Sequence, residues 1–328
     1  MSTSPLTRRG FHARFAAGAA VLAVPSLRAQ PAWPDKPVRL VVPYPPGGFT
    51  DVTARLVAQK LQERLGQAFT VENKPGANSI IGVDAVAKSP PDGHTLAIVI
   101  AAYAANTTLY PKLPYQPRDL QGVSLIGVSP LVAAVNNDAP FRSVRELVDW
   151  AKRNPGGVSF GSSGNGSAAH LTTELLKSVT GTFMVHIPYR GAAAALTDLM
   201  GGQIQLFLDA AQGLVNPGRS GKVRLIGVAA ERRLPVLPDV PTFIEQGLAG
   251  FTGSTWAGVL APAGVPKERV QRLSSEIAAI VRLEDVKAKL DAMGTVPAGG
   301  TPDAFDVFIA AETKKWGEVI RHAKVTAD

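Results

Sequence analysis

The chain has 328 residues, of which 45% are hydrophobic and 18% charged, and it contains no cysteine. This length is sufficient for two domains with hydrophobic cores, and the composition is typical of a folded globular protein. The absence of cysteine excludes disulfides, thiolate metal sites and a cysteine nucleophile.

The formal net charge of +8 raises the question of nucleic-acid binding. The first thirty residues contain Arg8, Arg9, Arg14 and Arg28 and no acidic residue, and the remaining chain has 30 basic and 26 acidic residues. These remaining basic residues are spread through helical patterns with few aromatic residues among them, unlike the concentrated basic surface of a nucleic-acid-binding protein. We therefore predict no nucleic-acid partner.

Residues 1–30 have the features of an export signal. A twin-arginine-like segment at 7–11 (TRRGF) precedes an apolar, alanine-rich run at 15–24, and residues 26–29 resemble a cleavage region. The run is shorter than the roughly 20 residues that span a bilayer, and an uncleaved anchor is the alternative. We expect a signal peptide that is removed and a soluble periplasmic protein, and both export routes, twin-arginine and general, stay open.

From Trp33 onward, strand-like and helical patterns alternate, which is typical of an α/β fold with helices on both faces of a mostly parallel sheet. In the first part the predicted strands are 38–42, 69–72, 95–100 and 123–128, and the predicted helices are 52–65 and 80–87. In such folds, ligands bind at the carboxyl ends of the strands.

A second unit repeats this pattern. Its predicted strands are 131–135, 158–160, 184–188, 204–209 and 223–229, and its helices are 144–154, 168–180 and 192–200. Ser143 and Glu146 predict a capping box at the first of these helices.

After Thr252, one strand (256–260) precedes the helices 266–283, 284–293 and 301–322. Because these helices have no sheet of their own, we expect them to cover the first unit. The predicted architecture has two lobes, residues 31–131 with 254–328 and residues 132–253. The lobes are joined by two crossing segments and separated by a cleft that can close on a ligand.

The stretch 158–181, VSFGSSGNGSAAHLTTELLKSVTG, predicts a strand, a tight loop and a helix. Ser167 is a suitable N-cap and Gly181 stands where a helix-terminating glycine belongs. The first helical turn has free backbone N–H groups, surrounded by the hydroxyls of Ser162, Ser163 and Ser167. We predict an anion-binding site at this serine loop, residues 161–167.

The glycine loop, residues 43–49 (PYPPGGF), has the same construction after the first predicted strand. Thr50 or Asp51 is expected to cap the following helix, which ends at Gly66. Gly47 and Gly48 allow the backbone to approach a ligand closely, although a simple tight turn is the alternative. Neither loop contains lysine or arginine, so neutral donors and helix ends would bind the anion. Two such loops predict one ligand held from both sides.

Two enzyme hypotheses compete with binding. Ser167, His170 and Asp209 are candidates for a hydrolase, but no G-x-S-x-G motif surrounds the serines. Residues 164–169 (GNGSAA) satisfy the dinucleotide motif G-x-G-x-x-G/A, which makes an NADP-dependent enzyme the main alternative. The acid expected at the next strand is missing there, although Arg190 could take a 2′-phosphate.

The histidines of the chain suggest no metal site. The five histidines lack metal-ligand spacing, so we expect no metal. His170 either bonds a loop or lines the cleft, and the sequence leaves both roles open.

Seven segments, in the same order, resemble the Bug-type (TctC-like) periplasmic solute-binding proteins that serve tripartite tricarboxylate transporters. They are WPDKPVRLVVPYPPGGFTD, VENKPGANSIIGVDAVAKSPPDGHTL, NTTLYPKLPY, FGSSGNGSAAHL, PYRGAAAALTDLMGGQIQLFLD, LPDVPTFIEQG and WAGVLAPAGVP. The resemblance covers almost all of the chain after the signal. It implies a two-lobed, type II-like periplasmic-binding-protein fold that closes on an organic carboxylate, without a cofactor or catalysis. A monomer that delivers its ligand to an inner-membrane permease is expected, and a partner of a membrane sensor is a further possibility.

Carried over by position, the resemblance implies a set of ligand-binding residues to which the loop argument adds Gly47. The set is Tyr44, Gly47, Gly48, Phe49, Thr50, Asp51, Asn106, Ser162, Ser163, Gly166, Ser167, His170 and Asp209, with Asn106 and Asp209 as wall residues. Phe49 stands where a small residue is common, and residues 101–105 (AAYAA) replace a more polar stretch. Both departures suggest an apolar or aromatic pocket and hence an aromatic carboxylate.

Overall fold

The computed structural model describes residues 1–2 and 33–327, and Trp33–Asp328 forms one compact unit distinct from Met1–Ala32. The strands are β1 Val38–Val42, β2 Phe69–Asn73, β3 Thr95–Val99, β4 Leu120–Val135, β5 Ser159–Ser162, β6 Val185–Pro188, β7 Leu206–Ala210, β8 Arg224–Val228, β9 Ser254–Pro262 and β10 Val296–Pro297. The helices are α1 Phe49–Leu65, α2 Ile80–Ala87, α3 Ala101–Leu109, α4 Val144–Arg153, α5 Ala168–Thr180, α6 Ala192–Met200, α7 Ala211–Arg219, α8 Lys267–Ile280, α9 Glu284–Ala292 and α10 Pro302–Ala323. The predicted export signal lies outside the described residues, apart from Met1 and Ser2.

The α/β fold is confirmed, and its sheet is mixed. The strand order is β2-β1-β3-β9-β4-β7-β5-β6, with β8 and β10 paired to β4. The outer strands β2, β1 and β3 are parallel, as are β6, β5 and β7, in agreement with the predicted alternation. The central strands β9 and β4 run antiparallel to each other, and β3 and β7 flank them in antiparallel pairs.

The prediction of separate strands at 123–128 and 131–135 is wrong, because both runs belong to the 16-residue strand β4. β4 pairs with β9 as far as Pro130 and with β7 from Leu131 onward. We call β2, β1, β3, β9, β10 and the part of β4 up to Pro130 the first half of the sheet, and the rest of β4 with β5, β6, β7 and β8 the second half. The change of partner falls where the sequence predicts a lobe boundary, and the division into lobes stays a prediction.

Helices from three parts of the chain cover the sheet. α8 packs on α1 and β4, and α10 packs on α3, β4 and α5. Two helices, α3 and α7, were not predicted. α3 is a buried alanine-rich segment without a polar face, and α7 contains Pro217, so neither has a clear helical pattern. Within the described residues, no helix combines the length and apolar character that a bilayer crossing requires.

A buried carboxylate connects α10 to the sheet. Oε2 of Glu312 accepts hydrogen bonds from the indole N–H groups of Trp256, at 2.9 Å, and Trp316, at 2.8 Å. Both indoles are fully buried, so their N–H groups depend on this acceptor.

We therefore expect Glu312→Leu to lower the free energy of unfolding by about 2–4 kcal/mol, because it leaves two buried donors unpaired. Glu312→Gln, which keeps an amide oxygen as acceptor, should cost less. The exposed Glu318→Leu on the same helix is the control, and urea denaturation measures all three. An equal loss in Glu312→Gln and Glu312→Leu would contradict this interpretation.

Candidate functional site

The two predicted loops each follow a parallel strand and precede a helix, β1 to α1 and β5 to α5. Ser167 caps α5 as predicted, since its Oγ accepts a hydrogen bond of 3.3 Å from the backbone N–H of His170. Gly181 and Gly66 end α5 and α1 in left-handed conformations, which is also confirmed. The predicted capping of α1 by Thr50 or Asp51 is wrong. Its N-cap is Gly48, which has no side chain, so the first turn of α1 has no side-chain cap.

Asp51 supports the glycine loop through hydrogen bonds. One carboxylate oxygen accepts hydrogen bonds from the backbone N–H of Gly47, at 2.9 Å, and from Nε of Arg55, at 3.0 Å. The other carboxylate oxygen accepts a hydrogen bond of 2.9 Å from the side-chain amide of Asn73. The same amide also donates to the backbone carbonyl of Tyr44. Although burial opposes ionisation, hydrogen bonds from Arg55, Gly47 and Asn73 hold the pKa of Asp51 below its usual value. Asp51 therefore fixes the loop, and its oxygens are already occupied.

The other predicted residues of the glycine loop divide between the core and the surface. Phe49 is only 9% exposed and packs in a hydrophobic core formed mainly by residues of the first half and its helices, which we call the first-half core. It therefore offers little surface to a ligand and gives no support to an aromatic pocket. Thr50 is also buried, and burial raises the pKa of the Tyr44 hydroxyl. A β-carbon at Gly47 or Gly48 would meet nothing within 4 Å, so the backbone there faces open space.

Two stacked histidines support the serine loop. Nε2 of His186 lies 2.7 Å from the hydroxyl of Ser162, which also accepts a hydrogen bond from the backbone N–H of Gly164. Nδ1 of His170 accepts a 3.1 Å hydrogen bond from the backbone N–H of Gly166. The two rings are nearly parallel, with centroids 3.7 Å apart. Of its two predicted roles, His170 therefore takes that of bonding a loop.

Both rings are neutral at physiological pH. Burial and then the neighbouring His186 and Lys177 lower the pKa of His170 to about 3. Burial and then Lys177 lower the pKa of His186 to about 4. The histidines therefore position the loop without adding a positive charge to it. Ser163 is partly exposed, and within the described residues its hydroxyl makes no hydrogen bond to the protein.

Each of the two loops approaches residues of the other half of the sheet. A β-carbon added to Gly166 would collide with Leu109 of α3 and lie 3.0 Å from the side-chain amide of Asn78. Gly166 has a φ of 73°, so glycine is required there for backbone geometry as well as for space. On the other side, Gly191 approaches Pro45 of the glycine loop. The serine loop is thus packed against first-half residues in this conformation.

Asn106 is completely buried, and its amide group is occupied. It donates to the carbonyl of Asn78 at 2.8 Å and accepts from the side chain of Asn78 at 2.9 Å. Ala77, Asn78 and Ser79 all have positive φ values, an uncommon conformation for residues other than glycine. Asn106 therefore stabilises this turn at the serine loop and does not present a free polar group as a wall residue.

Asp209 lies at the carboxyl end of β7. β7 pairs in parallel with β5, and their last pair is Gly161 with Phe207, two residues before Ser163 and Asp209 in their chains. The side chain is partly exposed, and no ion pair reaches it among the described residues. Burial raises its pKa to about 7, and a hydrogen bond from the backbone N–H of Ala210 opposes this rise.

Sequence reasoning missed the residues that hold the loops. Asn73 ends β2, beside β1, and His186 lies opposite Phe160 on β6. Placing neighbouring parallel strands side by side would have found both, because their carboxyl ends share one edge of the sheet. Asn78 carried no such signal, since its position depends on an unusual turn.

No group of metal-ligating side chains occurs within the described residues. A cavity of about 520 Å³ lies away from the loops, lined by residues such as Leu234, Arg282 and Val296. None of the predicted ligand-binding residues lines this cavity.

The neutral histidine pair makes stability depend on pH. Unfolded histidines bind protons below about pH 6.5, whereas the folded His170 and His186 do so only near pH 3 and 4. Unfolding therefore takes up protons as the pH falls from 6.5 to 4, and stability decreases by up to about 1.4 kcal/mol per pH unit for each residue. His186→Gln, which cannot become charged, should reduce this slope by one proton. Equal slopes in the wild type and in His186→Gln would contradict the assignment.

Comparison with known proteins identifies the family of this chain. The profile of the tripartite tricarboxylate transporter family receptor matches residues 53–325. The chain is 37% identical to Protein BugT of Bordetella pertussis over 292 residues, which cover 88% of this chain and 90% of that protein.

Two solved structures with ligands resemble this chain. The R. palustris protein Rpa4515 with adipate has a TM-score of 0.86 and 35% identity, over 90% of this chain and 99% of that one. MatC (Rpa3494) from Rhodopseudomonas palustris with bound malate has a TM-score of 0.81 and 30% identity, over 88% and 99%. With a profile match over most of its length, this chain belongs to the tripartite tricarboxylate transporter receptor family of solute-binding proteins.

Proposed function

We propose that this protein is an extracytoplasmic receptor that binds a small organic carboxylate between the glycine and serine loops. The observation that carries the proposal is that each half has a loop that leads into a helix N-terminus, of α1 or α5, and that the halves approach each other beside these loops, at Gly166 and at Gly191. Free N–H groups at a helix start bind anions without a cation. Adipate and malate in two similar proteins support a carboxylate as the ligand class.

Binding would use a hinge between two lobes, residues 31–131 with 254–328 and residues 132–253. β4 changes partner between Pro130 and Leu131, and β9 begins at Ser254, opposite Pro130, which supports a hinge at this level of the sheet. A ligand that contacts both loops binds the closed form better and shifts the population toward it by that difference in affinity.

Membership of the family supports a periplasmic location and a membrane permease as the recipient of the ligand. A monomer that carries no cofactor is sufficient for this role. The contacts of Gly166 argue against the dinucleotide alternative, because Leu109 and Asn78 occupy the space where a pyrophosphate would approach that glycine.

The first test is a thermal-shift panel of mono-, di- and aromatic carboxylates together with NADP. At least one carboxylate should raise the melting temperature, since a ligand that binds only the folded state stabilises it. NADP should have no effect. A shift with NADP and none with any carboxylate would contradict the proposal.

The second test separates binding from helix capping. Ser167→Ala should weaken binding of the best carboxylate by about 1–2 kcal/mol, the scale of one lost hydrogen bond or cap. Ser143 caps α4 in the same way, because its Oγ accepts a 3.1 Å hydrogen bond from the backbone N–H of Glu146. The predicted capping box is not completed, since the Glu146 carboxylate accepts from the backbone N–H of Arg142 and not from that of Ser143. Ser143→Ala is thus a matched control that should lower stability but leave affinity unchanged. Calorimetry measures the affinity and the stability of each variant. Equal affinity of wild type and Ser167→Ala would argue against the site.

A further inference from the structure

Asp209 is a carboxylate without a partner at the edge of the candidate site. No ion pair involves it within residues 33–327, and its neighbours in sequence, residues 206–216, include no lysine or arginine. The backbone N–H of Ala210 occupies only part of its acceptor capacity. A carboxylate has about four positions that accept hydrogen bonds, so this one retains free capacity.

The fold leaves room for this carboxylate. One oxygen of Asp209 lies 3.0 Å from the position that a β-carbon on Gly213 would take, in the first turn of α7. Ala210, the next residue, packs in the first-half core, so Asp209 is held close to where the two halves join. The last pair of β5 and β7, Gly161 with Phe207, lies two residues before Ser163 and Asp209, and the hydroxyl of Ser163 is also free of the protein.

We propose that Asp209 accepts a hydrogen bond from the ligand, so that the receptor selects carboxylates that carry a hydroxyl or ammonium donor over unsubstituted ones. This inference rests on the proposed function and names its substrate class. When the site closes, Asp209 loses water. At a pH above the pKa of Asp209, a ligand without a donor then either leaves a desolvated carboxylate unpaired, next to the negative charge of the ligand itself, or requires the uptake of a proton, and both weaken binding.

Burial already raises the pKa of Asp209 to about 7, which indicates that the surroundings provide little compensation for its charge. A donor on the ligand supplies that compensation. Sites built to bond a donor discriminate strongly against analogues that lack it, whereas a purely apolar wall discriminates weakly. A role limited to the start of α7, where a negative charge is favourable, would give no such selection.

The test compares matched ligands by calorimetry: succinate, malate and aspartate as one series, and adipate, 2-hydroxyadipate and 2-aminoadipate as a longer one. In at least one series the hydroxyl or amino ligand should bind wild type about tenfold or more tightly than the unsubstituted acid. Asp209→Asn should reduce this preference to less than about threefold, mainly by weakening the donor-bearing ligands. Asp138→Asn, an exposed residue of the same half, makes the same change in charge and should keep the preference.

Each result separates the two proposals. If carboxylates bind wild type without preference for a donor, the inference is wrong and the receptor function stands, whether or not the variant folds. A preference that Asp209→Asn retains would assign the selection to another residue. If no carboxylate in either series or in the wider panel binds, the receptor function fails and this inference falls with it.

Discussion

Binding an anion without a cation requires backbone N–H groups that are fixed before the ligand arrives, and the structure meets this constraint in two different ways. In the first half, the carboxylate of Asp51 ties Gly47, Arg55 and Asn73 together beneath the glycine loop. In the second half, neutral imidazoles bond Ser162 and Gly166 of the serine loop. These hydrogen bonds occupy the backbone N–H groups of Gly47 and Gly166, so an anion would bind to other N–H groups of the two loops.

The charge of these supports matters as much as their geometry. Arg55 is half exposed and offsets the charge of Asp51, while His170 and His186 carry no charge at physiological pH. Neither loop therefore adds a net positive charge near the ligand. Affinity would then depend on several hydrogen bonds that form together when the site closes and break together when the site opens. Such a site suits a receptor that must release its ligand.

Local patterns were sufficient to predict the loops, the cap at Ser167 and helices such as α2 and α6, because these depend on residues close in sequence. The continuity of β4 was not predictable in the same way, since Pro130 interrupts the strand pattern and only pairing with β9 and β7 carries the chain through it. The roles of Phe49 and Asn106 also depend on distant residues. Phe49 packs in a core formed by several elements, and Asn106 bonds a turn nearly thirty residues earlier. Sequence placed both near a loop but could not indicate which way their side chains point.

The similar structures with adipate and with malate show that the same fold occurs with carboxylate ligands of different length and substitution. If the two helix ends bind the carboxylate common to all such ligands, they cannot distinguish one ligand from another. Discrimination must then come from side chains beside the loops that still have unused hydrogen-bonding capacity. The buried Asn106 and the occupied Asp51 do not meet this condition, whereas Ser163 and Asp209 do. Because Ser163 follows β5 and Asp209 lies in the neighbouring strand β7, apart from the supports of the loops, a change in either can alter ligand preference while the helix ends and their supports stay in place.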